Sequence, residues 1–381
     1  MTGPLAGITV VDLSRILAGP FCTMVLADLG ARIIKVESAK GDDSRAFGPF
    51  VGATSAYFAS VNRGKESIVL DLKNDADRIV FERLIGIADV LVENFRPGVM
   101  DRLGYGFEAL APKHPRLVYA AVSGFGHDGP YAQRPAYDLV VQAMGGLMSL
   151  TGHAGQPPVR VGTSIGDIAA GLYAAVGIAA ALRERELTGR GRKLDIAMLD
   201  CQVAILENAI SRHLAGGLLP GPMGARHPAI APFEAFATAD GYMVIAAGND
   251  ALFRALAATL DRAELVDDPR FRTNDERMRN VDELKIIIES ITATRPTRHW
   301  LATLAAGGVP CGPINTVADV VADAQVRARN MIVEIADANA GALRVAGNPI
   351  KMSGVPDPQR RPGAPGLGEH RATILAELGL G

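Results

Sequence analysis

Continuous apolar, β-branched runs alternate with helical patterns from the start of the chain: GITVVDL (7–13), then GPFCTMVLADLG, then ARIIKVE (31–37). SIVLDL (67–72), the helical DADRIVFERLIGIA, DVLVENF (89–95), RLVYAAVS (116–123) and KLDIAML (193–199) continue the series. A strand buried on both faces reads as an unbroken apolar run, because crossover helices cover each face of a parallel sheet. Strand, helix, strand in this order marks βαβ units. The pattern predicts an α/β fold whose large domain is a doubly wound, Rossmann-like parallel sheet.

The texture changes at GGLLPGPMGARHP, where Gly and Pro break every periodicity. EAFATADGYMVIAAG then reads as a hairpin turning at Ala239-Asp240-Gly241, followed by helical patterns to about residue 306. GGVPCGPIN punctuates again, and the tail returns to strands and a short helix. The expected division is a large domain over 1–215, a linker at 216–228 and a smaller α+β domain over 229–310. A second linker covers 311–330, and 331–381 rejoins the large domain.

At 381 residues the chain is long enough for two cores, and its formal net charge of −2 offers no footprint for nucleic acid or an anionic membrane. Cys22, Cys201 and Cys311 lie far apart without metal spacing, which suits a reducing, cytoplasmic compartment. MTGPLAGITVVDLS lacks a basic region leading into an apolar core, so no secretory leader is expected. The most apolar run, 168–182, is too short to span a bilayer and reads as a buried helix. No metal site is expected from the seven scattered histidines, and neither a phosphate P-loop nor a Ser-His-Asp order is evident. GFGHDG (124–129) has dinucleotide-loop spacing, but Pro130 and Pro135 follow it, so no helix N-terminus starts there to receive a pyrophosphate.

Within VGTSIGDIAAGLYAAVGIAAALRER (161–185), Asp167 is the lone carboxylate at the mouth of a small-residue apolar segment. It is either an N-cap accepting unpartnered backbone N–H groups, or a weakly solvated nucleophile or base. A helix N-terminus suits both roles, since it favours the ionised form. Tyr137 and Asp138 pose the same choice, with Asp138 a candidate cap for the helix that follows. Asn94 and Phe95 stand at a strand's carboxyl end, where open α/β sheets bind ligands. Arg96 and Arg102 nearby are either phosphate contacts or ordinary surface arginines.

Taken together, PLAGITVVDLSRILAGPFCTMVLADLGARIIKVE, ADVLVENFRPGVMDRLG, RPAYDLVVQAMGGLMSLTG, VGTSIGDIAAGLYA, TGRGRKLDIAML, GVPCGPIN and GLGEH resemble the class III coenzyme A transferases, the CaiB/BaiF family. Motifs in this order run the whole length of the chain. The resemblance implies a catalytic aspartate at Asp167 and a reaction site lined by Tyr137. It implies CoA contacts at Leu17, Ala18, Leu70, Lys73, Asn94, Phe95 and Arg102. It further implies an interlocked homodimer, CoA thioesters as substrates and no permanently bound cofactor.

The family's glycine-rich lid segment reads GPMGARHPAIAP here, which leaves that lid role open. The family also holds α-methylacyl-CoA racemases, an alternative reading as a CoA-ester isomerase. In those enzymes a His precedes the Asp of the YD position, where this chain has Tyr137, and a third acid falls on Ala237. Both departures favour transfer. A nicotinamide oxidoreductase rests only on GFGHDG, and a non-catalytic CoA-binding protein would leave Asp167 and Tyr137 without a role. DLSRILAGPF and PFEAFATADGYMVIAAGND are similar to the succinyl-CoA:glutarate subgroup, which implies a short dicarboxylate acceptor. A dicarboxylate needs a cation for its second carboxylate; the candidates are Arg15, Arg45 and Arg226 with His227, the alternative being that these arginines hold loops to neighbouring acids such as Asp42 or Asp43.

Overall fold

The computed structural model describes residues 3–337 and 340–381. Strands β1 (Thr9–Asp12), β2 (Arg32–Glu37), the short hairpin of β3 (Phe50–Val51) and β4 (Thr54–Ser55), β5 (Glu66–Val69), β6 (Val90–Glu93), β7 (Val118–Ser123) and β8 (Lys193–Ala197) follow in chain order. All but the hairpin form one sheet, ordered β5-β2-β1-β6-β7-β8 and parallel at every pairing. Chain order reverses between β1 and β6. In open α/β sheets ligands bind outside the carboxyl ends of the strands at such a reversal.

Two apolar layers cover the faces. On one, the first helix (Ala18–Asp28) and the long Asp167 helix (Ile165–Thr188) pack against Val10, Val92, Ala120 and Val122. On the other, Asp75–Ile87 contributes Val80, Phe81 and Leu84, and the C-terminal helix Arg371–Glu377 inserts Ile374. The Asp167 helix has 24 residues and is long and apolar enough, by length and composition, to cross a membrane. The sequence reading of 168–182 understated that length. Ala169, Ala170, Ala174, Ile178 and Leu182 are nonetheless buried against the sheet, so it is a core helix.

Its small residues have a packing cause. A Cβ on Gly171 would lie 2.7 Å from the Ala18 carbonyl oxygen, so only glycine lets the two helices approach this closely. That contact brings the start of the first helix beside the start of the Asp167 helix.

The chain divides into two compact units. The larger takes the residues up to Ser149, Val159–Pro220 and Ala324–Gly381, including the sheet of β12 (Ile332–Asp337), β13 (Gly341–Ala346) and β14 (Arg360–Arg361), in the order β13-β12-β14. The smaller takes Leu150–Pro158 and Gly221–Asp323. Its antiparallel sheet is β9 (Phe233–Thr238), β10 (Gly241–Ala246) and β11 (Cys311–Pro313), with β10 central. Phe236, Met243, Phe253, Phe271, Ile288 and Trp300 form its core.

Three boundaries differ from the sequence reading. Residues 311–313 are no linker, because Cys311 pairs with Ile245, and the small unit continues to Asp323. Residues 150–158 leave the large unit; the Gly224 N–H donates to the Gly152 carbonyl at 2.7 Å, inside the smaller one. The hairpin turn is Ala239-Asp240 alone, since Gly241 already pairs with Thr238.

Candidate active site

The loop after β1 is shaped from beneath by buried ion pairs. Asp12 accepts the Ser14 N–H at 2.9 Å, the Thr23 hydroxyl at 2.6 Å and the Lys65 ammonium at 3.2 Å. Lys35 donates to the Ser14 carbonyl at 2.7 Å and pairs with Asp42 at 2.8 Å, both side chains fully buried. Asp42 in turn accepts the Ile16 N–H at 3.1 Å. Ile16 adopts φ +69°, a left-handed conformation that β-branched residues avoid. Such a residue persists only where its surroundings over-determine it, at about 1–3 kcal/mol. Above, Asn94 closes the loop onto β6: its side chain accepts the Arg15 N–H and donates to the Arg15 carbonyl, both at 2.8 Å.

These constraints aim the first helix at Asp167. Burial and then the Asp138 charge work against ionisation of the Asp167 carboxyl, while the Ala18 backbone N–H favours the charged form. The balance pushes the Asp167 carboxyl up to about 7. Asp167 is not an N-cap: Ser164 holds that position, and Asp167 lies in the first turn. Nor does Asp138 cap the helix it opens, Asp138–Met144. Its carboxylate accepts the Gly166 N–H at 2.8 Å and the Gln142 amide at 2.8 Å, so it caps the Asp167 helix instead. Gln142 also accepts the Val161 N–H at 2.9 Å, fixing the approach to that helix.

A cavity of about 400 Å³ opens at the sheet reversal. Arg15, Leu17, Ala18, Asn94, Phe95, Tyr137 and Asp167 from the sequence reading all line it, with Arg96, Arg134, Val122 and Met198. Tyr137 is 71% exposed and presents its ring there. A second cavity of about 280 Å³ shares Arg15 and Phe95 and is lined by Leu70 and Lys73. Arg102 lines neither. It is exposed on the short Val99–Leu103 helix, next to Leu103 of the second cavity. A larger cavity of about 620 Å³ runs between Arg45 and the Pro362–His370 segment, and Asp167 does not line it.

Two of the proposed dicarboxylate cations are otherwise engaged. Arg45 grips Glu37 through Nε at 2.8 Å and Nη2 at 2.7 Å, and lies 3.8 Å over the Phe58 ring. Arg226 pairs with Glu234 at 3.1 Å and Asp282 at 2.8 Å, inside the smaller unit. His227 packs on Phe233 at 5.2 Å and accepts the Ala229 N–H through Nδ1. Arg15 pairs with Asp43 at 3.1 Å, half exposed.

Sequence reasoning singled out neither Tyr57 nor Arg134. Burial, then the Asp167, Asp42 and Asp138 charges, push the Tyr57 phenol up to about 12, although Tyr57, unlike Arg134, does not line the Asp167 cavity. Its sequence neighbours carry no motif. Arg134 stands three residues before Tyr137 with no acidic residue adjacent, the one signal that could have marked it. No group of three or more His, Cys, Asp or Glu fit to hold a metal occurs among the described residues.

The family model described as CoA-transferase family III matches residues 5–371. The chain belongs to CoA-transferase family III. It is an enzyme of that class, whose substrates are CoA thioesters. It is 48% identical to an acetyl-CoA:oxalate CoA-transferase of Acetobacter aceti, over 99% of this chain and 96% of that protein. It is 40% identical to a succinate–glutarate CoA-transferase of Agrobacterium fabrum, over 98% and 96%. Among solved structures, a CaiB/BaiF family protein from Brucella suis matches with a TM-score of 0.87 and 43% identity, over 99% of this chain and 100% of that one.

Proposed function

We propose that the enzyme moves CoA from a short acyl-CoA, such as succinyl-CoA, to a short dicarboxylate, with Asp167 as nucleophile. The Asp167 carboxylate attacks the thioester carbonyl, the C–S bond breaks, and a mixed anhydride and CoA thiolate result. The thiolate attacks the aspartyl carbonyl, releasing the donor acid and leaving an aspartyl-CoA thioester. The acceptor carboxylate displaces the thiolate to form a second anhydride. The thiolate then takes the new acyl group and frees Asp167. Electrons and atoms balance without any added base, oxidant or reductant. A carboxylate suits this sequence because each anhydride keeps its acyl group activated.

The observation that carries the reading is one ionisable carboxylate, lodged between two helix starts, in a cavity at the sheet reversal. Leu17, Val122 and Met198 contribute apolar surface beside the carboxylate, which disfavours water, and water would hydrolyse either intermediate. The dicarboxylate acceptor is supported by relatives named for oxalate and glutarate. In the same reading the second cavity takes part of the CoA nucleotide, and two copies form a homodimer in the cytoplasm. Leu172, Tyr173 and Val176 are exposed on one face of the Asp167 helix, which supports a covered surface there.

The test is chemical trapping. Mixed with acyl-CoA and quenched with hydroxylamine, the wild type should carry a hydroxamate at Asp167 alone by peptide mass spectrometry. Asp167→Ala should carry none and lose at least about a thousandfold in turnover. A variant with wild-type turnover would eliminate the covalent route.

A further inference from the structure

We propose that Arg134 reads the second carboxylate of the acceptor, an assignment that rests on the dicarboxylate reading above. The cavity around Asp167 has two walls. One, from Arg15 to Ala18 and from Asn94 to Val99, shares Arg15 and Phe95 with the smaller cavity, so Arg15 faces the CoA half of the site, while Arg96 on that wall lines the Asp167 cavity only. The other runs from Val122 to Tyr137, lines the Asp167 cavity alone, and has Arg134 as its cation.

Arg134 is free to take an anion. Arg45, Arg226 and Arg15 are each paired with carboxylates. Among the described residues Arg134 has no carboxylate partner, only aromatic ones. Its guanidinium lies 4.7 Å from the Tyr131 ring centroid and 5.7 Å from that of Phe125. Stacking covers the flat face of a guanidinium and leaves the in-plane N–H fork, whose geometry matches a carboxylate.

The glycine motif that resembled a dinucleotide loop has its role here. It carries Phe125 and holds the wall in place. Gly126 at φ +84° donates its N–H to the Ser123 hydroxyl at 3.0 Å. A Cβ on Gly124 would lie 2.3 Å from the Ala136 Cβ, so this glycine is what lets the motif pack against the Arg134–Tyr137 segment. An acid bound with one carboxylate at Asp167 and extending along this wall meets Arg134 with its other end. A monocarboxylate leaves that fork empty.

The experiment measures transfer from one saturating acyl-CoA to succinate and glutarate, and to butyrate and valerate of matching length, counting new CoA esters by mass. Wild type, Arg134→Ala and Arg134→Lys are compared. The wild type should prefer the diacids. Arg134→Ala should lower kcat/KM for diacids about tenfold more than for monoacids, the size of one charge-assisted contact at a partly hydrated site, and Arg134→Lys should restore part of the difference. Equal losses of kcat/KM for both acid classes overturn the role of Arg134 while the dicarboxylate reading stands. A wild type that uses monoacids as readily as diacids overturns that reading, and this role with it.

Discussion

Asp138 caps the helix that carries Asp167: its carboxylate accepts the Gly166 N–H at 2.8 Å, one residue ahead of Asp167. One side chain therefore does two things, and both disfavour the ionised form of Asp167. It satisfies a helix N-terminus that would otherwise favour the charged form of Asp167, and it places a like charge nearby.

Asp138→Asn separates the two effects. The amide oxygen can still accept the Gly166 N–H, but the negative charge is gone. With that repulsion removed, the Asp167 carboxyl, now pushed up to about 7 by burial and then by Asp138, should ionise at lower pH. Attack requires the carboxylate, so activity rises with pH as Asp167 ionises. The acid limb of the pH profile of kcat/KM should move down by roughly half a unit to one unit. An unmoved limb would assign it to another group. Asp138→Ala loses the cap as well, and should cost about 1 kcal/mol of stability in thermal denaturation.

The parallel sheet was legible because strands buried on both faces leave unbroken apolar runs, and each such run became a strand of the main sheet. Asn94 and Phe95 were placed by the strand end they follow, and Asp167 and Tyr137 by motif resemblance; Asp167 itself sits in the first turn of a helix and not at a strand end. What stayed hidden was pairing across long separations. Nothing local reveals that Asp12 meets Lys65 or that Asp89 meets Arg185, because those contacts exist only once distant segments are brought together by the fold. Asp138 capping a helix 28 residues away is the same kind of fact. Arg134 escaped because aromatic stacking leaves no charge pattern in a sequence.

Arg102 tests whether the CoA site proposed at the smaller cavity extends outward. It is exposed, lines neither cavity and has no carboxylate partner among the described residues, yet it adjoins Leu103 of the smaller cavity. An arginine so placed can meet phosphates that remain in solvent. Screening limits such a contact, so Arg102→Ala should raise the KM for acyl-CoA about three- to tenfold with a smaller change in kcat. The KM should also rise with ionic strength in the wild type and less so in the variant. A KM that stays put would leave Arg102 an ordinary surface residue.

Arg45 should behave in the opposite way to Arg134. Its guanidinium is held by Glu37, whose side chain is 1% exposed, and by the Pro365 carbonyl at 3.1 Å. Burial alone would raise the Glu37 carboxyl; the Arg45 contacts, with help from Ser67 and Lys35, hold it below the usual range. Arg45→Ala leaves that carboxylate buried without its bidentate partner, which costs on the order of 2–3 kcal/mol once partial hydration of the arginine is allowed for. The sign of the pH dependence follows from the lowered folded-state value. The contribution is present above the unfolded-chain pKa of about 4.3 and fades as pH falls through the folded one. The stability gap between wild type and Arg45→Ala, read by thermal denaturation, should therefore be wide at pH 7 and close below about pH 4. The ratio of diacid to monoacid transfer should match wild type, because Arg45 lines the larger cavity and not the one that holds Asp167. A variant of wild-type stability that has lost its diacid preference would return Arg45 to the acceptor site.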